Sequence, residues 1–407
     1  MTTDKPAELK RRLGLFDSVT IGLGAMLGAG IFAAFAPAAA SAGSYLLIAL
    51  AIAAVVAYCN ASSSARLAAL YPQSGGTYVY GRERLGAFWG YLAGWGFVVG
   101  KTASCAAMAL TIGAYAWPAQ QHAVAVAAVL AVTALNYFGV QKSAVATRVI
   151  VAIVLAVLTI VVAVCAFGPN AATGFGSGTA DVHGVLQASG LLFFAFAGYA
   201  RIATLGEEVR DPARTIPRAI TTALAITLVV YVVVAVAVLA VLGPDTLATA
   251  TDPLAQAVSS AGAPALAPFV RIGAVVAAVG ALIALVLGVS RTVLAMARDR
   301  HLPKALDAVH PKHAVPHRAE LAVGAVVAVL AASVDLRSAI GFSSFAVLFY
   351  YLVCNASAWT LGRRQRWVAA TGAVGCIVVG LSLPAESIVG GSVALAIGAV
   401  AWRFTRA

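Results

Sequence analysis

The chain has 407 residues, of which 61% are hydrophobic and 10% charged, and its mean hydropathy is +0.93. Soluble domains carry about 25% charged residues, so the composition excludes a soluble globular protein and describes one that crosses a membrane many times. The 27 Lys and Arg against 15 Asp and Glu leave a net +12, but the basic residues lie in short stretches between apolar runs, which marks membrane topology and excludes nucleic acid as a partner.

A span needs roughly 20 apolar residues. Twelve runs qualify, at about 15–37, 43–69, 85–116, 122–139, 145–167, 185–208, 218–243, 265–297, 319–334, 339–361, 367–383 and 386–403. An amino terminus in the cytoplasm puts 23 of the 27 basic residues in cytoplasmic segments, among them Lys5, Lys10, Arg11 and Arg12, then Lys142 and Arg148, then Arg291 to Arg318. The outer loops hold only Arg337, and the outer loops 168–184 and 244–264 have acids (Asp181, Asp245, Asp252) without Lys or Arg. That alternation predicts both termini in the cytoplasm. Arg11-Arg12 before an apolar run and Ala38-Ala39-Ala40 resembles a cleaved export signal, but the run carries a glycine pattern with a better use.

Span 1 reads Gly22-Leu-Gly-Ala-Met-Leu-Gly-Ala-Gly-Ile-Phe32. Four glycines in nine residues weaken a helix by about 1 kcal/mol each relative to alanine. No strand precedes them and the spacing is wrong for a dinucleotide fingerprint, and no cofactor motif occurs elsewhere. Two readings stay open: close helix packing through Gly24 and Gly28, or an unwound segment at Gly28-Ala29-Gly30. In the second, the free N–H groups of Ile31 and Phe32 begin a half-helix that takes a carboxylate.

Lys101, midway along span 3, Arg201 in span 6 and Arg271 near the outer end of span 8 are the three cations inside spans. An ionisable group there is costly and marks a functional candidate. Arg271 reaches the interface by snorkelling. Lys101 reads as a proton carrier or a charge beside a ligand, and Arg201 as a holder of an anionic group or a tie to neighbouring carbonyls. No Asp or Glu falls at mid-span. Asp17, Glu207, Glu208, Asp299 and Glu320 all sit near span ends.

Span 6 reads Phe193-Phe-Ala-Phe-Ala-Gly-Tyr-Ala-Arg201 and places Gly198 among aromatics at mid-span. Interrupted spans five helices apart are the pattern of two inverted five-helix repeats with a site between the breaks. Five cysteines in apolar runs without a CxxC pair exclude a disulfide framework or zinc site. His301, His310, His313 and His317 share one proline-interrupted loop, which reads as solvated and basic, so no metal site is expected.

The chain resembles the amino acid–polyamine–organocation superfamily of permeases, in its amino acid permease branch. Four stretches carry the resemblance: Gly24-Ala-Met-Leu-Gly-Ala-Gly-Ile-Phe32, Phe193 to Gly198-Tyr199 and on through Glu207-Glu208 to Pro217-Arg218, Ser290-Arg291 to Leu302-Pro303, and Tyr71-Pro-Gln-Ser-Gly-Gly-Thr-Tyr78. It implies an all-α integral membrane fold of twelve transmembrane helices, built as a leucine-transporter-like 5+5 inverted repeat with helices 1 and 6 broken. The parts would be a cytoplasmic tail (1–14), a first repeat (15–167), a second repeat (168–361), and helices 11–12 with a short cytoplasmic end (362–407). It further implies that a substrate carboxylate meets helix 1 around Gly28, Ala29, Gly30 and Ile31. Its amino group would meet carbonyls of Phe196, Ala197 and Gly198, beside Tyr199, and of Ala25 and Met26. Phe194, Tyr350 and Tyr351 are further gate candidates, and Ser104, Cys105, Ser343 and Asn355 candidates for tuning the pocket.

Departures from the family matter for coupling. Val275 to Val289 has no Ser or Thr, so the hydroxyls of sodium-coupled relatives are absent, and a hard cation needs oxygen ligands. The helix 5 lysine of some proton-coupled relatives falls near Val154 and is absent too. Many relatives place an acid where Ala200 stands.

The expectation is a secondary transporter of amino acids in the cytoplasmic membrane. It works by alternating access, coupled to protons or to exchange, with no cofactor and no ATP, for want of a Walker motif. Its partners are the substrate and the lipid bilayer. The alternatives are a polyamine or cationic amino acid antiporter and an uncoupled facilitator. A channel or receptor fits the composition, but the paired breaks favour a carrier. An intramembrane enzyme would need His, Asp or Glu at mid-span.

Overall fold

In the computed structural model the described residues are 13–73, 75–139, 144–169, 181–206, 208–313 and 315–404. Lys5, Lys10, Arg11, Arg12, Ser74, Lys142, Glu207 and most of the outer loop 168–184 lie outside them.

Among the described residues the regular structure is helical, joined by one isolated bridge between Leu13 and Val209. The helices are α1 (Leu15–Met26), α2 (Ala29–Ala33), α3 (Phe35–Ala42), α4 (Leu46–Leu70), α5 (Thr77–Leu85), α6 (Ala87–Ala116), α7 (Gln121–Tyr137), α8 (Ala144–Phe167), α9 (Val182–Phe196), α10 (Ala200–Ala203), α11 (Pro212–Thr249), α12 (Pro253–Ser260), α13 (Ala267–Arg298), α14 (His317–Ser333), α15 (Leu336–Trp359), α16 (Arg366–Leu381) and α17 (Ala385–Phe404). Ten stretches of the described residues are long and apolar enough to cross a membrane. Each of the twelve expected runs contains helix, but α14 and α16, at 17 and 16 residues, are short of the usual span. A short helix crosses only where neighbours or a thinner bilayer make up its length.

The centre is built on α6. Its face of Gly94, Gly100, Lys101, Ser104 and Cys105 is buried, and it packs on α13, α14 and α15. Glycines let the backbones close up: a Cβ at Gly100 would come within 2.9 Å of the Ala346 Cβ. Hydroxyl and amide pairs knit the interior, as bare polar groups are costly away from water. Ser104 and Ser343 share a hydrogen bond of 2.6 Å between α6 and α15. The Asn355 Nδ2 donates to the Asn60 Oδ1 at 2.6 Å between α15 and α4.

The start of α1 and the stretch after α10 are strapped together, at the ends remote from the interruptions. The Leu13 N–H donates to the Glu208 carbonyl at 3.0 Å and the Arg210 N–H to the Leu13 carbonyl at 2.9 Å. An ion pair of Arg148 with Asp17 ties α8 to α1. At the other end of the bundle, the Arg271 Nε donates to the buried Asp252 at 2.7 Å, which satisfies that carboxylate at the edge of the apolar region.

Candidate functional site where two interrupted helices meet

Helix 1 is interrupted between α1 and α2 at Leu27 and Gly28. The half-helix therefore begins at Ala29, about two residues before the position that the glycine spacing suggests. Packing fixes the place. A Cβ on Gly28 would stand 2.6 Å from the Ala281 Cβ of α13, and one on Gly24 3.3 Å from the Thr147 Cγ2 of α8. Both readings of the glycine run thus hold at once: it packs closely and it breaks. Ala34 keeps helical dihedrals, so α2 runs on into α3. The first amides of the half-helix, those of Ala29, Gly30 and Ile31, have no earlier turn to donate to. The positive end of its dipole is at the same place.

Helix 6 is interrupted differently. α9 passes into a 3-10 turn at Ala197–Tyr199 and then into the single turn of α10. The two interruptions touch. A Cβ on Gly198 would lie 2.5 Å from the carbonyl carbon of Ala25 and 2.8 Å from the Met26 nitrogen, and one on Gly30 2.7 Å from the Ala195 Cα. Met26, Gly28, Ala29, Gly30, Ile31, Phe196, Ala197 and Tyr199 are buried, while Ala25 and Gly198 are half-buried. The backbone at Ala25–Met26 and Gly30 thus meets that at Ala195 and Gly198, while the Tyr199 ring turns away to Tyr351.

Two side chains serve the carbonyls that the interruptions leave free. The Lys101 Nζ, 6% exposed, donates to the Ala197 carbonyl at 3.2 Å. Among the described residues no carboxylate forms an ion pair with it. The Tyr231 hydroxyl of α11 stands 2.5 Å from the Met26 carbonyl and 3.0 Å from that of Ala195, and so bridges the broken ends. Sequence reasoning missed Tyr231. Its signal was a single hydroxyl-bearing aromatic inside the run Val229-Val230-Tyr231-Val232-Val233. Phe196 packs on the same ring, with centroids 5.0 Å apart.

Other expected residues fall outside this point. Arg201 is half-buried, one turn beyond the break. Its polar partner is the Thr204 hydroxyl at 3.5 Å. Tyr199, Tyr351 and Tyr350 form a buried aromatic run, with centroids 5.2 and 5.1 Å apart, and Tyr350 accepts the Thr77 N–H at 2.9 Å. Phe194 is buried. Asn355 is spent on Asn60. His310, His313 and His317 pack around Tyr137, and the His310 Nδ1 accepts the backbone N–H of Lys312 and His313. Among the described residues no group of three potential ligands is placed to hold a metal.

A cavity of about 280 Å³ reaches from Asp335, Arg337 and Thr251 down to Phe32 and Tyr115, short of the break. The Tyr115 hydroxyl donates to the Phe32 carbonyl at 3.1 Å and closes its floor. A larger cavity, about 620 Å³, lies against Val98, Val99, Thr102 and Ala106, on the opposite face of α6 from Lys101. Its walls are almost wholly apolar, with exposed Val326 beside it, which suits lipid chains and not a polar solute.

Two substitutions test this geometry through the midpoint of thermal unfolding in detergent. Gly198→Ala drives a methyl group into the α1 backbone and is expected to cost about 1–3 kcal/mol, as overpacking does. Gly288→Ala, with nothing within 4 Å, is expected to be neutral or stabilising by up to about 1 kcal/mol. Equal midpoints for the two variants would contradict the contact. Tyr231→Phe removes the one O–H shared between the Met26 and Ala195 carbonyls and is expected to cost about 1–3 kcal/mol; an unchanged midpoint would show that the hydroxyl does not serve them.

Comparison with known proteins agrees with the architecture. An uncharacterised transporter of Mycobacterium tuberculosis (strain H37Rv) is 67% identical over 410 residues, covering 99% of this chain and 93% of the relative. The branched-chain amino acid permease BcaP of Bacillus subtilis is 28% identical, over 89% of this chain and 83% of its own. A chloroplastic cationic amino acid transporter of Arabidopsis thaliana is also 28% identical, over 88% of this chain and 68% of its own. The sequence model of the family described as amino acid permease matches residues 13–401, and the chain belongs to that family of multi-pass membrane transporters.

Proposed function

We propose that the protein is a secondary transporter of α-amino acids that works by alternating access, with its substrate held between the two interruptions. The observation that carries this reading is the contact of Gly198 with the Ala25–Met26 backbone. It puts unpaired amides and served carbonyls side by side at the depth where a bilayer offers no water.

A substrate carboxylate is placed at the amides of Ala29, Gly30 and Ile31. Its ammonium takes the carbonyls of Met26 and Ala197, which Tyr231 and Lys101 serve. Phe196 and Tyr199 flank it. Lys101 is thus an internal amine on the carbonyl that the substrate's own amine needs, and binding exchanges one for the other. Released, its charge lies beside the arriving carboxylate.

The fold proposed with this reading is the twelve-span inverted repeat, with both termini in the cytoplasm and the protein in the cytoplasmic membrane. The strap of Leu13 to Glu208 and Arg210 favours α1 and α10 moving as one body. From α13, the Ala281 methyl group and the Ala277 carbonyl face Gly28, and neither residue carries the side-chain hydroxyl expected of a sodium site. Coupling to protons or to exchange follows.

Relatives at equal identity carry names of branched-chain and of cationic substrates, so similarity does not choose between them. Lys101 does. A substrate with a second positive charge would enter beside a buried cation without an acid, at a large cost. This favours neutral over cationic amino acids and polyamines.

Counterflow in proteoliposomes tests the reading. Vesicles loaded with a neutral α-amino acid are expected to take up the labelled compound. Loading with arginine or putrescine should give at least tenfold less, and replacing sodium by choline at fixed pH should change the rate less than twofold. Preference for the cations, or a tenfold loss in choline, contradicts it. For topology, a reporter fused after Asp307 should read as cytoplasmic; an external reading would invert the assignment.

A further inference from the structure

Glu320 is the fourth residue of α14, close enough to its start to read in the sequence as an exposed end. It is 0% exposed, and both its carboxylate oxygens are buried without a hydrogen-bond partner. Its surroundings are polar on one side. Asn136 of α7 lies beside it, with Nδ2 donating to the Ile283 carbonyl at 3.2 Å and Oδ1 unpartnered. One turn along, the Thr133 hydroxyl is also buried and unpartnered, in a space that Gly324 leaves open: a Cβ there would stand 2.4 Å from the Thr133 Oγ1. One turn before Glu320, on the same helix face, His317 is half-buried, and its Nδ1 too lacks a partner.

An ionised carboxylate in such a place is uncompensated, and burying it costs far more than holding a proton does. The charged groups on the packed elements do not neutralise it. On α13, Arg291 is exposed and makes no ion pair within 4 Å among the described residues, and Arg298 is paired with Asp307 at 2.9 Å. On α6, Lys101 is turned to Ala197. Lys304 lies in the exposed stretch after α13. On α14 itself, Arg318 is exposed and reaches the Ala305 carbonyl at 3.4 Å. On α7, Tyr137 is packed among histidines, and His122 is at the far end against the Ala331 carbonyl at 2.8 Å.

Resting on the transport reading above, we propose that Glu320 is the binding site of the coupled proton, with His317 as its exit to the cytoplasm. The proton sits on a Glu320 carboxylate oxygen while the bundle is closed. When α14 and α7 part, the O–H bond breaks, the proton passes to the His317 imidazole and then to cytoplasmic water, and the carboxylate is left hydrated.

Glu320→Gln keeps the shape and the neutral state, so it should fold. Infrared spectra of the purified protein at pH 7, wild type minus Glu320→Gln, should show the carbonyl stretch of one protonated carboxylic acid that shifts in heavy water. Its absence means an ionised Glu320 and overturns the proposal, whether or not any substrate has been found. In proteoliposomes, Glu320→Gln should keep counterflow within threefold of wild type and lose at least tenfold of the accumulation driven by a pH gradient. Accumulation equal to wild type in the variant, or none in a wild type that shows counterflow, overturns it as the coupling site. Loss of counterflow in the wild type for every amino acid would instead count against the transport reading, and the infrared result would still decide the state of Glu320.

Discussion

A helix that stops inside a bilayer must find partners for the backbone groups it leaves behind, because hydrocarbon supplies none. That requirement organises the centre of this protein. Two helices stop at the same depth, and each leaves carbonyls facing the other. Lys101 reaches across from α6 for one, and from α11 the single Tyr231 O–H is shared between two more. Glycines at 30 and 198 let the broken ends approach until only backbone separates them, and Gly28 lets the first break close on Ala281 of α13. A covalently attached amine and hydroxyl thus serve these carbonyls. In the proposed binding mode a solute's ammonium would take their place.

The same economy is visible in the charges. Arg271 and Asp252 neutralise each other near one edge of the bundle, and Arg148 and Asp17 at the other. Glu320 has no such partner among the described residues. In the proposed cycle this buried acid and the buried Lys101 amine, held by a carbonyl, are the groups whose charge would change as the bundle opens, one for the proton and the other for the substrate.

Much of this was legible in the sequence, and what was not had a common cause. The apolar runs and the excess of Lys and Arg on one side carried the membrane class. Four glycines in nine residues carried the first break, although its place two residues earlier was set by Ala281, a partner far away in sequence. Gly198 marked the second break but not its form, since a 3-10 turn has no residue signature of its own. Lys101 stood out by its charge, while its acceptor, a backbone carbonyl, bears no letter in the sequence. Tyr231 was hidden for the opposite reason: in a run of valines a tyrosine reads as packing, and only the third dimension shows where its hydroxyl ends. Arg201 stood out as a cation inside a span, and the polar partner the structure gives it, the Thr204 hydroxyl of its own turn, leaves its role a candidate one. Glu320 looked peripheral because α14 begins only three residues before it, yet α7 covers it completely.

The account stands or falls on where the solute sits. A structure determined by electron cryo-microscopy in the presence of a neutral α-amino acid that supports counterflow would measure this directly. The account predicts the carboxylate within hydrogen-bonding distance of the Gly30 and Ile31 amides, the ammonium on the carbonyls of Met26 and Ala197, and the Lys101 Nζ displaced from its 3.2 Å contact. A solute lodged in the apolar cavity behind α6, or in the outer cavity above Phe32 with the Lys101 contact intact and the same transport activity, would contradict it.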